Sequence, residues 1–185
     1  MTIMTKRDFV AGSAAGLGLV ALGGPAFAMK RAKIDRLIGQ AQNVLRQEVP
    51  NAARLLDESA GYLMMPRIRK AGFGFGGAYG EGALMVGGAP IQYYSVAAGS
   101  FGLQIGFEQY SSALFFGTDS RLNKFRSRDG WTIGADLEYT AWDQGEDADI
   151  DNHTIKETVY GVVFGQEGLH IGATLEGSKY STITR

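Results

Sequence analysis

Three glycines in the stretch KAGFGFGGAYGEGAL, Gly72, Gly74 and Gly77, stand at the G-x-G-x-x-G spacing that cradles a dinucleotide pyrophosphate. Such a loop must leave a strand and open a helix, because the pyrophosphate rests on the helix N-terminus. The residues that follow, AYGEGALMVGG, include Gly80, Gly82, Gly87 and Gly88, and each interior glycine costs a helix about 1 kcal/mol relative to alanine. No βαβ rhythm comes after them, so no nucleotide is expected as a partner. Phe73, Phe75 and Gly77 alternate with Gly72, Gly74 and Gly76, which describes a strand with one bare face. Such a face suits the close approach of another backbone or a helix.

The acidic run DQGEDADIDNHTIKET places Asp147, Asp149 and Asp151 at the first three ligand positions of a calcium loop. Asn152 replaces the turn glycine, and Thr158 occupies the place of the bidentate glutamate. A solvated hairpin loop is therefore the stronger reading, and no metal or other cofactor is expected. His153 and His170 fall on a loop edge and on the polar face of a strand. Asp136 and Glu138 could in principle act on a glycoside, but strand alternation already accounts for both. No serine has a G-x-S-x-G context, and neither H-E-x-x-H nor a phosphate loop is present. The expectation is a non-catalytic chain, with an unrecognised hydrolase as the enzymatic alternative.

The remaining chemistry is that of cations. From Met29 to Lys70 there are nine Lys/Arg and four Asp/Glu, a balance of +5, whereas Ala71 to Arg185 balances to −7. The split suggests one surface that meets anionic material, although the net charge of −1 gives no reason to expect nucleic acid. In MKRAKIDRLIGQAQNVLRQEVP, Ile34, Leu37, Ile38, Ala41, Leu45 and Val49 mark one helical face, and Lys30, Arg31, Lys33, Arg36 and Arg46 lie largely around the rest. A helix of this kind can lie in a bilayer interface, its cations meeting lipid phosphates. It can equally cover a sheet with its stripe and leave the charges in solvent, and the two readings coexist if the cations still face lipid. Arg67, Arg69 and Lys70 add a second basic group just before the glycine strand.

Pro50 ends the first helix, and Asn51 is a plausible cap for a second, NAARLLDESAG, closed by Gly61. Beyond Pro66 the period changes to two. In GWTIGADLEYTAWD, Trp131, Ile133, Ala135, Leu137, Tyr139 and Ala141 alternate with polar residues or glycine, as in a half-buried antiparallel strand. GLHIGATLEG, TIKETVYGVVFGQEG and SSALFFGT read as further strands, and DSRLNKF reads as one short helix capped by Asp119 or Ser120. Helices first and strands afterwards predict an α+β fold, with N-terminal helices packed on a glycine-rich antiparallel β-sheet or barrel. The large aromatics are expected to fill its core, or in part to line an acyl-chain cavity.

Glycine is abundant, 27 residues of 185, about twice the usual share. Cysteine is absent, which excludes disulfides and thiol chemistry. The N-terminus, TKRDFVAGSAAGLGLVALGGPAFA, has a basic start, a short apolar run and an A-x-A ending at Ala26-Phe27-Ala28. Residues 1–28 are thus expected to form a cleavable export signal, twin-arginine-like with Lys6 in place of the first arginine, or of the general secretory type. Cleavage near Ala28 would leave residues 29–185 as a single domain in the periplasm or outside the cell.

KAGFGFGGAYGEGAL, YYSVAAGSFGLQIGFEQ, LNKF, GWTIGAD and GLHIGATLEGSKYSTI occur in the order found in the SYLF-domain family, and the chain resembles its bacterial members over about Ile34 to Ile183. The resemblance implies a lipid-binding domain related to actin-patch proteins; eukaryotic members bind phosphoinositides and in some cases actin. A periplasm holds no actin, so the implied partner is an anionic phospholipid or membrane surface. The positions that correspond to the family's basic N-terminal part are Lys30, Arg31, Lys33 and Arg36, with Arg67, Arg69 and Lys70. A structural or protein-interaction module of the cell envelope without a lipid ligand is the alternative.

Overall fold

The computed structural model describes residues 29–141, 159–167 and 175–185. The expected leader, the Asp147–Asp151 loop, His153, His170 and most of GLHIGATLEG lie outside the described residues. Two helices, α1 (Arg31–Glu48) and α2 (Ala52–Glu58), precede two long strands, β1 (Gly61–Val86) and β2 (Ala89–Phe116). Helix α3 (Asp119–Arg126) and the short strands β3 (Trp131–Thr132), β4 (Thr140–Ala141), β5 (Val159–Glu167) and β6 (Lys179–Ile183) complete the order. The α+β architecture expected from the sequence is the one found, a curled, largely antiparallel sheet with helices.

The hairpin of β1 and β2 is the spine. It turns at Gly87 and Gly88, both with positive φ, the conformation a tight two-residue hairpin needs. β1 runs along one edge of β2 throughout. Along the other edge β6 pairs with Tyr93–Ala97 and β5 with Gln109–Phe116. Strand β3 extends the sheet beyond β6, and β4 joins β5 in a short parallel pairing. The β1–β2 ladder shifts register between Met65 and Ile68, where Pro66 has no N–H to give it. The Ser111 hydroxyl donates to the Pro66 carbonyl at 2.9 Å across that irregularity.

Curling brings the first half of β1 against its own second half. A Cβ at Gly82 would land on the Met64 carbonyl oxygen, and one at Gly80 would sit 2.7 Å from the Arg67 carbonyl. Close approach at these glycines is by strand backbone rather than by a helix.

Both faces of the sheet are buried, which explains why Gly61–Pro66 and Ser111–Phe116 are buried without a break. One face, with Tyr62, Met64, Met85, Tyr93, Phe115 and Phe164, is covered by α1 and α2 through Ile34, Ile38, Ala41, Leu45 and Leu55. The opposite face, with Leu63, Leu84, Tyr94, Leu114 and Phe116, packs on Leu122 and Phe125 of α3 and on Trp131, Ile133 and Leu137. The cap of α3 is Thr118, one residue before the expected position, its hydroxyl accepting from the Arg121 N–H. Asn51 stands at the start of α2 as expected, but in a left-handed conformation and without a side-chain cap.

The long strand expected over GWTIGADLEYTAWD is interrupted. Among its described residues only Trp131–Thr132 and Thr140–Ala141 are strand; between them Gly134 takes φ +86° and the Asp136 carboxylate accepts from the Thr132 N–H. Trp131, Ile133 and Leu137 are nevertheless all buried. Ala135, expected on the same face, is exposed and Tyr139 is half-buried, so alternation marked only part of the inward set in a segment that loops.

Candidate functional site

Helix α1 lies on the sheet with its apolar stripe inward: Ile34 and Leu45 are fully buried, and Leu37, Ile38 and Ala41 nearly so. Its C-terminal half is tied by Gln42, which donates to the Tyr62 hydroxyl at 2.6 Å, and by Glu48, which accepts from the Gly165 N–H at 2.7 Å. Its N-terminal end is tied more heavily. The Tyr93 hydroxyl donates to Asp35 at 2.7 Å, Arg31 donates to the Arg185 carbonyl at 2.6 Å, and the Arg31 guanidinium lies 5.2 Å from the centre of the Tyr93 ring.

This geometry sorts the four helix cations. At 100° per residue Arg31 and Asp35 fall on one flank of the buried stripe, Lys33 and Arg36 on the other. Arg31 is occupied within the fold. Lys30, Lys33 and Arg36 are exposed, and among the described residues none of them makes an ion pair. Lys30 is the N-cap, without a side-chain cap bond, and no acidic residue stands in the first turn. The first turn of the helix thus carries like charge at the positive end of the dipole, against the usual preference for acidic residues there.

The second basic group, Arg67, Arg69 and Lys70, stands on β1. Lys70 pairs with Glu108 at 3.3 Å, whereas Arg69 is exposed and Arg67 half-exposed. Strand alternation puts Arg69 and Lys70 on opposite faces. Ala71 and Phe107 are register partners on the Arg69 face, and Phe107 is 59% exposed, an unusual position for a phenylalanine.

Beside α1, an open groove of about 530 Å³ is lined by Arg31 and Asp35, by Pro90–Tyr93 after the hairpin turn, and by Ile183–Arg185. Near it lies Glu81, a carboxylate with no solvent exposure. It accepts from the Tyr79 hydroxyl at 2.8 Å, from the Met29 N–H at 2.9 Å and from the Arg185 guanidinium, which is also its ion-pair partner. Burial, and then the bond to Glu81, pushes the Tyr79 hydroxyl up to about 12. Burial, and then the bond to Asp35, does the same for Tyr93. The hydrogen bond to Glu81 raises Arg185 further above its ordinary range. The sequence reading missed this network. Its signal was present: Tyr79, Glu81, Ala83 and Met85 alternate, so a charge shares the face of buried apolar residues.

The carboxylates weighed for catalysis have a structural setting. Asp136 pairs with Arg128, and this bond, with the one from the Thr132 backbone, holds its carboxyl below the usual range. Glu138 is exposed. Among the described residues no group of three His, Asp or Glu side chains could hold a metal ion, and no helix is long and apolar enough to cross a membrane.

Comparison with known proteins bears on the sheet more than on α1. Residues 97–184 match the family model Ysc84, described as Las17-binding protein actin regulator. No curated protein matches the chain. The matched region begins within β2 and includes α3, β5 and β6, and stops short of both basic groups. Residues 97–184 are therefore similar to the SYLF (Ysc84) domain family, and that likeness supports a lipid-binding or protein-interaction module.

Proposed function

We propose that the chain is an exported, non-catalytic module that associates with anionic phospholipid at a membrane surface, with α1 remaining docked on the sheet. The observation that carries this reading is the start of α1. Lys30, Lys33 and Arg36 crowd the positive end of a helix without an acidic residue in its first turn or a side-chain cap. A charge in the first turn, such as that of Lys33, costs a helix about 0.3–1 kcal/mol, a cost that an anionic surface reverses. The apolar stripe is not available to the bilayer. Burial of each such side chain contributes about 1.5–3 kcal/mol, and removing the helix would expose Tyr62, Met64 and Phe115 as well. Binding is therefore electrostatic and peripheral, with Arg67, Arg69 and the exposed Phe107 as a second point of contact.

Flotation of the chain with vesicles of graded anionic content tests the reading. Recovery should rise with anionic lipid and fall with salt, because exposed charges are screened within about 10 Å at 0.1 M. Absence of binding to strongly anionic vesicles in low salt would leave the protein-interaction module as the function.

A further inference from the structure

We propose that Glu81 is the receptor for the α-ammonium group that cleavage after Ala28 creates on Met29. The inference rests on the export reading and is independent of the lipid reading. Two unrelated observations meet at one atom. The sequence Ala26-Phe27-Ala28 marks the Ala28–Met29 peptide bond for a signal peptidase. The nitrogen of that bond stands 2.9 Å from Glu81 Oε2, on a carboxylate with no solvent exposure.

Hydrolysis changes what this nitrogen offers. Water adds across the bond: its hydroxyl goes to the Ala28 carbonyl carbon, the C–N bond breaks, and the nitrogen leaves as an amine that takes up a proton at neutral pH. Ala28 departs as a carboxylate. A neutral amide with one N–H thus becomes an ammonium with three, already within bonding distance of an anion. The amide's bond to the carboxylate is charge-assisted on one side only; the ammonium adds a full positive charge and makes the contact an ion pair as well. Glu81 has room for it, since a carboxylate offers about four acceptor sites. Oε1 takes Tyr79 and the Arg185 Nη2, and Oε2 takes Met29 and, at 3.3 Å, the Arg185 Nε.

The placement has a consequence for α1. The Met29 side chain packs on the same core cluster as the helix, and α1 begins two residues later. Anchoring the new terminus therefore fixes the helix end that carries Lys30, Lys33 and Arg36. Processing completes the fold at the point where the cationic surface starts.

The test uses the chain from Met29, which holds every described element and whose own methionine can start translation, leaving a free amine without a protease. It is compared with a form extended by a few residues, in which the Met29 nitrogen is an amide. The free-amine form should have an unfolding constant at least about tenfold smaller, as an added ion pair with a buried carboxylate implies. Glu81→Gln should remove most of that difference. The α-amine should also react with an acylating reagent near neutral pH about tenfold more slowly than in a Met-Lys peptide. Equal stability of the two forms, or a difference unchanged by Glu81→Gln, overturns the proposal. If Glu81→Gln does not fold, amine reactivity decides: a peptide-like rate overturns the proposal and a protected amine supports it. N-terminal sequencing of the protein exported from the full chain separates the two readings. A start other than Met29 overturns the cleavage site and the proposal together, whereas Met29 with equal stabilities overturns the proposal alone.

Discussion

Arg185 closes over Glu81 from 104 positions away in sequence, its guanidinium set on a carboxylate that solvent does not reach. The pair joins the last described residue to the middle of the spine hairpin. Removing one partner of a buried pair strands the other, and Arg185→Ala should cost about 2–3 kcal/mol in urea denaturation. Replacing both by leucine should recover part of that loss. A single variant as stable as the parent would show that the pair contributes nothing.

Alkaline titration should reveal the two tyrosines of the same region. Tyr79 and Tyr93 are both held protonated up to about 12 in the fold, by burial first and then by their bonds to Glu81 and Asp35. Their unfolded hydroxyls ionise near 10. Between these values the folded state binds more protons than the unfolded one, so stability is present below pH 10 and declines as pH rises to about 12. Phenylalanine at both positions should flatten that decline. A melting temperature with the same pH dependence in parent and variant contradicts the assignment.

Gly82→Ala should destabilise the fold by about 1–3 kcal/mol, because the new methyl meets the Met64 carbonyl where β1 crosses itself. Gly99→Ala, where nothing lies within 4 Å, should change stability by less than about 0.5 kcal/mol. Equal effects at the two positions would remove the crossing as the reason for glycine in this strand.

Phe107→Ser should leave stability within about 0.5 kcal/mol, since the ring is 59% exposed, yet weaken binding to anionic vesicles. Unchanged binding would exclude the Arg69 face of the hairpin as a contact.

Period and punctuation revealed the helices well. The stripe of α1 from Ile34 to Val49 was legible because one-sided burial imposes a 3.6-residue repeat, and all six of its residues are buried. The paired basic groups were legible as composition only. Whether Arg31 faces lipid or Tyr93 depends on the flank of the helix it occupies and on where the C-terminal residues return, which is tertiary information. Glu81 was obscured for a similar reason: its partners Arg185 and Met29 lie 104 and 52 positions away. Gly87-Gly88 carried a hairpin signal, but the long strands on either side bury both faces and so lack clean alternation. Gly134 has the opposite effect, breaking the strand and turning Ala135 outward while Ile133 and Leu137 stay buried.

Exposed cations beside a docked helix should meet anionic lipid, and vesicle flotation of the parent against Lys33→Gln/Arg36→Gln measures this. Neither side chain makes an ion pair among the described residues, and Lys33 stands against the helix dipole, so the double variant should unfold at the parent's denaturant concentration or above it. At about 1 kcal/mol per cation, it should lose roughly 25-fold in affinity for anionic vesicles in low salt, with a shallower salt dependence. Equal flotation of parent and variant, or equal flotation on neutral and anionic vesicles, would show that these cations do not meet lipid.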